Sequence, residues 1–150
     1  MEVRRFGPGH RRPDGPPGTS GITGGVIWSD PRAHVSELAF ARRGAIVPHT
    51  NPNLALFIVV SGGGWVQVGE ERIRINHGEA VVWPPDIAHG AYTDGSEMRA
   101  IIVELPEGGS MPAIEGVAAS LRVPPAPASG GLAEPPDRQE DHDRSEGEPW

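Results

Sequence analysis

Two histidines forty positions apart, His49 and His89, are the side chains of this sequence best suited to chemistry. Each closes a phrase punctuated by glycine and proline. The first is Gly44-Ala45-Ile46-Val47-Pro48-His49-Thr50-Asn51, which runs into Leu54 to Val60 and the triplet Gly62-Gly63-Gly64. The second is Gly78-Glu79-Ala80-Val81-Val82-Trp83-Pro84-Pro85-Asp86-Ile87-Ala88-His89. Imidazole is the commonest metal ligand and a hydrogen-bonding group, so two of them in one pocket would hold a metal or hydrogen-bond an organic ligand.

Other reaction types are excluded by composition. The chain has no cysteine, which removes thiolate catalysis, disulfides and Cys-based metal sites. All thirteen basic residues are arginine, so Schiff-base chemistry and a lysine-bearing phosphate loop are absent as well. No Gly-x-Ser-x-Gly elbow occurs, and the glycine triplet leads into a strand pattern, which makes no phosphate cradle. The formal net charge is -7, and residues 133–150 carry seven acidic residues against two arginines, a net of -5. That balance opposes nucleic-acid binding, for which a concentrated basic surface is required. The longest apolar run, Leu54 to Val60, is too short to cross a bilayer, and the first residues have no apolar stretch of signal-peptide type. A cytoplasmic protein is expected.

The elements that must position the histidines are strands. Val35 to Ala41, Ile46 to Pro48, Leu54 to Val60, Trp65 to Val68, Arg72 to Ile75, Ala80 to Trp83, His89 to Tyr92 and Arg99 to Glu104 are short apolar or alternating runs separated by Gly, Pro and Asp turns. Leu54 to Val60 is apolar at every position and is expected to be covered on both faces. Many short strands without a helical period predict an all-β antiparallel barrel or sandwich. The expected organisation is a flexible N-terminal arm over 1–25, with a short strand at Val3 to Phe6, and a barrel over 26–106. Beyond it come a linker with a short helix over 107–123 and a disordered acidic tail over 124–150.

With these phrases the chain resembles the cupin superfamily, whose small β-barrel carries two sequence motifs. The first runs Gly, five residues, His-x-His, three or four residues, Glu, six residues, Gly. Here Gly44 stands one residue closer to His49, Asn51 replaces the second histidine, Ala55 falls at the glutamate position and Gly62 closes the motif. The second runs Gly, five residues, Pro-x-Gly, two residues, His, three residues, Asn. Gly78, Pro84 and His89 match it, with Asp86 in place of glycine and Thr93 in place of asparagine. The resemblance covers roughly residues 35–104 and implies a jelly-roll-like double-stranded β-helix.

For the site, the resemblance implies a metal held by two histidines and a glutamate of the first motif and one histidine of the second. Of these ligands this sequence retains His49 and His89, offers Asn51 as a weak oxygen donor and has only a methyl group at Ala55. Loss of an imidazole and a carboxylate weakens any Fe, Mn, Ni or Zn site, because amide oxygen is the poorer ligand and charge neutralisation is lost. His34 or Glu37 would complete the set if its face points inward. Two readings stay open. One is a small-molecule binder with weak or no metal, its cavity lined by His49, Asn51, Ala55, Phe57, Trp65, Trp83, His89 and Tyr92. The other is a metal-dependent enzyme of dioxygenase or isomerase type on an incomplete His/Asn set, with His49, His89 and Asn51 as ligands. Trp65, Trp83 and Tyr92 would stack on a flat ligand or simply pack. The expected partners are a small-molecule ligand and a second copy in a homodimer, with no nucleic acid and no membrane.

Overall fold

The structure of the protein is a computed structural model that describes residues 1–106. The helix and acidic tail expected beyond this point lie outside the described residues. Eight strands follow in chain order: β1 (Arg12–Pro13), β2 (Ser20–Asp30), β3 (Ala33–His49), β4 (Leu54–Val68), β5 (Glu71–Asn76), β6 (Ala80–Trp83), β7 (His89–Tyr92) and β8 (Met98–Leu105). All pairings are antiparallel. No helix occurs among the described residues, and none there is long and apolar enough to cross a membrane.

Closure into a barrel comes from two long strands that each serve two ladders. The first half of β3 lies between β2 and β8, while its second half pairs with β7. Strand β4 pairs with β8 and β6 over its first half, then with β5 and β7 over its second. The sequence pattern had suggested separate strands at 35–41 and 46–48, and at 54–60 and 65–68. In each case the chain bends without ending the strand. In β4 the bend falls at Gly62, whose φ of 70° and close approach to the Glu97 carbonyl leave no room for a Cβ. In β3 it is fastened by Thr93, whose amide donates to the Gly44 carbonyl at 2.9 Å while its hydroxyl accepts from the Gly44 amide at 2.8 Å and donates to the Ala41 carbonyl.

The interior is filled by residues that alternate inward: Leu38 and Phe40 of β3, Ala55, Phe57, Val59 and Val66 of β4, Ile75, Val81, Ala91, Met98, Ala100 and Ile102. Leu54 to Val60 follows this alternation and is not covered on both faces. Leu56 and Ile58 are half-buried on the outside, where their paired neighbours are Val82, Val103 and Ile101, and Val60 is 47% exposed. An outward apolar residue here lies beside another within one sheet, with no second layer above it among the described residues.

The N-terminal arm is more ordered in pairing than its composition suggests. No strand forms at Val3 to Phe6; β1 lies at Arg12–Pro13, and β2 begins at Ser20 inside the expected arm. The glycines that made this region look like loop are what allow it to pack. A Cβ on Gly24 would collide with Asp14 and Leu38, and one on Gly25 would meet the His10 carbonyl. Arg11 then reaches Glu37 with two hydrogen bonds, Nε to Oε2 at 3.0 Å and Nη2 to Oε1 at 2.9 Å.

Glu37 points outward from the barrel, on the face shared with Ile101, so it does not join the histidines. Its side chain is fully shielded, held by Arg11 from one side and by Arg99 Nε at 3.1 Å from the other. Hydrogen bonds and charge from Arg11, followed by those from Arg99, outweigh the cost of burial and hold the carboxyl at about 2. A carboxyl whose folded pKa is depressed stabilises the fold above its ordinary value near 4.5 and loses that contribution as pH falls toward about 2. Glu37→Gln should therefore cost roughly 2 kcal/mol at pH 7, because the charge-assisted bonds are lost while the partly exposed arginines regain water. Urea unfolding at pH 7 and at pH 2 checks it: the variant should be the less stable at pH 7, with the difference shrinking on acidification.

Candidate functional site

His49 and His89 meet across the β3–β7 ladder as directly paired residues, with ring centroids 4.6 Å apart and planes inclined by 64°. A bulge makes this possible. Between Ile46, paired with Ala91, and His49, paired with His89, β3 spends three steps where β7 spends two. The extra residue resets the alternation, so that Ile46 and His49 both face inward and Val47 is left outside. The bulge packs on Gly90, where a Cβ would meet the Ile46 carbonyl and Pro48.

Both rings are oriented in the same way. His49 Nδ1 lies 3.1 Å from the carbonyl of Val47, and His89 Nδ1 lies 2.9 Å from that of Ile87. A carbonyl accepts only, so each Nδ1 carries the proton and donates, leaving each Nε2 as an acceptor when the ring is neutral. His89 is 1% exposed, and burial pushes its pKa below the ordinary histidine value; the Ile87 carbonyl opposes this, the charge of His49 adds to it and Glu104 opposes it.

Behind the imidazoles stands an aromatic column. His89 stacks on Trp83 at 4.4 Å and 19°, Trp83 tilts against Phe57 at 4.7 Å, and Phe57 meets Phe40 edge-on at 5.9 Å. Phe57 is completely buried and belongs to the core. Trp83 is 3% exposed and its indole Nε1 has no hydrogen-bond partner, an unusual state for a buried donor.

Ala55 faces inward beside Trp83, as its motif position implies. The carboxyl missing there is offered from another strand. Glu104 of β8 pairs with Ala55 on one side and with His34 of β3 on the other, so His34, Glu104, Ala55 and Trp83 form one row across the inner face. One Glu104 oxygen takes a 3.4 Å hydrogen bond from Asn53. Glu104 went unrecognised as a site residue because its relation to Ala55 exists only in the β4–β8 register, for which the linear sequence holds no spacing signal.

Three expected site residues are placed elsewhere. Trp65 and Tyr92 pair with each other on the outer face of the second half of β4, since Val66 and Ala91 take the inward positions. Their rings are stacked at 6.3 Å and 11°, with Arg74 over Trp65 and Arg72 over Tyr92. Asn51 is half-buried, but its side-chain oxygen accepts from the Asn53 amide at 2.9 Å, closing an Asx turn, so it serves the loop. Its backbone carbonyl accepts from the Asp86 amide at 2.8 Å, which ties the loops of the two histidine phrases together. His10 and His77 are exposed.

Among the described residues no three His, Asp or Glu side chains gather closely enough to hold a metal ion. Two imidazoles with Nδ1 fixed on carbonyls suit a metal, because such outer contacts orient metal-ligating histidines. Glu104 stands in the neighbouring row but does not gather with the two histidines as a third ligand, and the Asn51 oxygen is already engaged. The donor set therefore does not fit a tightly held first-row cation, and no chemical step is assigned to one.

Residues 37–106 match the cupin-domain family model. Three solved structures illustrate the likeness. KdgF from Halomonas sp. has 25% identity and a TM-score of 0.55, over 61% of this chain and 84% of that one. The polyketide cyclase RemF from Streptomyces resistomycificus has 22% identity and a TM-score of 0.63, over 71% and 81%. The DMSP lyase DddQ from Ruegeria pomeroyi DSS-3 has 11% identity and a TM-score of 0.54, over 60% and 49%. No functionally curated protein matches the sequence. Together with the two motifs and the closed antiparallel barrel, these likenesses establish that the chain carries a small type-2 cupin domain.

Two predictions follow from local geometry. Asp86, at the glycine position of the second motif, has φ of 60°, a left-handed conformation that aspartate tolerates and β-branched residues do not. Asp86→Val should cost about 1–2 kcal/mol, read as a lower urea midpoint, while Asp86→Gly should be close to neutral. The depressed pKa of His89 favours the fold fully above the ordinary value near 6.5 and loses that contribution as pH falls through that value toward the folded one. Histidine ring NMR should show His89 titrating below the ordinary histidine value near 6.5, and stability falling on acidification should flatten in His89→Gln.

Proposed function

We propose that the His49–His89 end of the barrel binds a small, uncharged, hydroxyl-bearing organic molecule without a tightly held metal. The observation that carries this reading is the pair of imidazoles whose Nδ1 atoms are both spent on backbone carbonyls, next to the unpaired indole N–H of Trp83. Two Nε2 acceptors want hydrogen donors, and the indole wants an acceptor. A hydroxyl group is both. The carboxyl of Glu104 adds another acceptor in the same row.

An anionic substrate suits this end poorly, because the arginines with described contacts are committed elsewhere. Arg11 and Arg99 hold Glu37 on the outside, Arg32 pairs with Asp30 at 2.8 Å, and Arg72 and Arg74 cover the outer aromatics. The apolar walls of Trp83 and Ala55 favour a flat hydrocarbon frame around the hydroxyls. Other proteins of this fold include a polyketide cyclase and a lyase, and a neutral His89 would serve as a proton acceptor if this chain also turns its ligand over.

Resorcinol and benzoate serve as probes, one neutral with two hydroxyls and the other an anion of similar size. Resorcinol should shift the ring Nε2 resonances of His49 and His89 and the Trp83 indole resonance, with the response lost in His49→Ala and His89→Ala; benzoate should not. Stoichiometric metal on untagged protein, lost in both variants, would overturn the reading in favour of a metal-dependent enzyme. An equal response to benzoate would overturn the substrate class.

A further inference from the structure

The outer face formed by β5, the second half of β4, β7 and the second half of β3 presents two arginines and no acidic residue at its outward positions. Reading across the ladders, its outward positions are Asn76, Arg74 and Arg72 on β5, then Gly63, Trp65 and Gln67 on β4, Gly90 and Tyr92 on β7, and Ala45 on β3. None of these is acidic in a chain whose formal net charge is -7. Glu71 belongs to β5 but alternates to the inner side, where it borders a small void with Val66, Val68, Ile73 and Val81.

On this face Trp65 and Tyr92 lie parallel, 6.3 Å apart, with Arg72 at 5.4 Å over Tyr92 and Arg74 at 6.0 Å over Trp65. Cation–π contact places each guanidinium over a ring while leaving N–H groups free for an acceptor. No acidic side chain is paired with either arginine among the described residues, whereas Arg4, Arg11, Arg32 and Arg99 each have one. Arg72 and Arg74 are both exposed. The result is an aromatic-backed pair of cations without an acidic partner among the described residues.

We propose that this Arg72–Tyr92–Trp65–Arg74 face docks the chain's own acidic segment, residues 134–148, through carboxylates on the two guanidinium groups. Charge complementarity argues for this occupant: the segment bears Glu134, Asp137, Glu140, Asp141, Asp143, Glu146 and Glu148 against Arg138 and Arg144. Geometry permits it. Residues 107–133 intervene after β8, and at about 3.3 Å per extended residue they reach several times the roughly 13 Å radius of gyration of a 100-residue domain. Tethering raises the effective concentration of the acidic segment at the face, so individually weak surface ion pairs add to an appreciable docked population.

The absence of native cysteine makes the test direct, because a single Ser145→Cys substitution can carry one nitroxide label on the full chain. In a 15N-labelled sample at low salt, the amides of Gln67, Arg72, Arg74 and Tyr92 should lose intensity relative to the reduced label. The loss should vanish at 1 M salt, where the screening length is about 3 Å, and in the Arg72→Glu, Arg74→Glu double variant. Should that variant not fold, Arg72→Gln with Arg74→Gln tests the same contact, and the salt series on the unsubstituted face stands alone. No intensity loss, or loss spread evenly over the outer surface, overturns the proposal. Loss in an unlabelled-nitroxide 15N chain mixed with a nitroxide-bearing 14N chain also overturns it, because the occupant would then be the segment of a second copy.

Discussion

The barrel depends on two strands that each have to satisfy two ladders. A 17-residue β3 and a 15-residue β4 pair with different neighbours in their two halves, and the backbone must turn between them without leaving buried amides unpaired. At Gly62 the turn is made by a left-handed glycine pressed against the Glu97 carbonyl. At Gly44 it is made by Thr93, which occupies the asparagine position of the second motif and supplies both a donor and an acceptor to the bend. The motif residues nearest to these bends are thus architectural, and they close the wall in which the histidines stand.

This explains how much was legible in the chain. Gly62 and Gly78 keep their spacing because each marks a left-handed turn of the backbone, with φ of 70° and 84°, and such turns survive the exchange of side chains around them. Asp86 illustrates the point: the glycine is gone, yet the left-handed φ of 60° that it served remains. A pattern of glycines, prolines and short apolar runs therefore identifies the fold even where the chemistry written into the family motif has changed. The N-terminal glycines misled for a related reason. Gly24 and Gly25 are permissive of close packing as well as of loops, and only the presence of Asp14, Leu38 and His10 against them decides which.

The side-chain content of the site was less legible, because facing is decided by register. One extra residue at Val47–Pro48 turns His49 inward, and simple alternation from Ile46 would have turned it out. Trp65 and Tyr92 are excluded from the interior by the same alternation that places Val66 and Ala91 inside it. Glu104 enters the row beside Ala55 through a pairing 49 positions away in sequence. No local spacing carries any of these three facts, whereas the pairing of His49 with His89 was carried by two independent motifs.

The composition of the row decides what kind of electrostatics the site can sustain. A divalent cation needs anionic or strongly donating ligands to repay its desolvation, and here two neutral imidazoles face one another beside an indole and a methyl group. Burial works in the same direction on His89: it disfavours the charged ring, and the lowered pKa strengthens its role as an acceptor instead of preparing the ring to donate. The carboxyl of Glu104, in the neighbouring row, opposes this shift only partly. The proposed preference for a hydroxyl group rests on this acceptor pair beside one unpaired donor, and on the fixed Nδ1–carbonyl contacts, which leave each imidazole a single way to present itself.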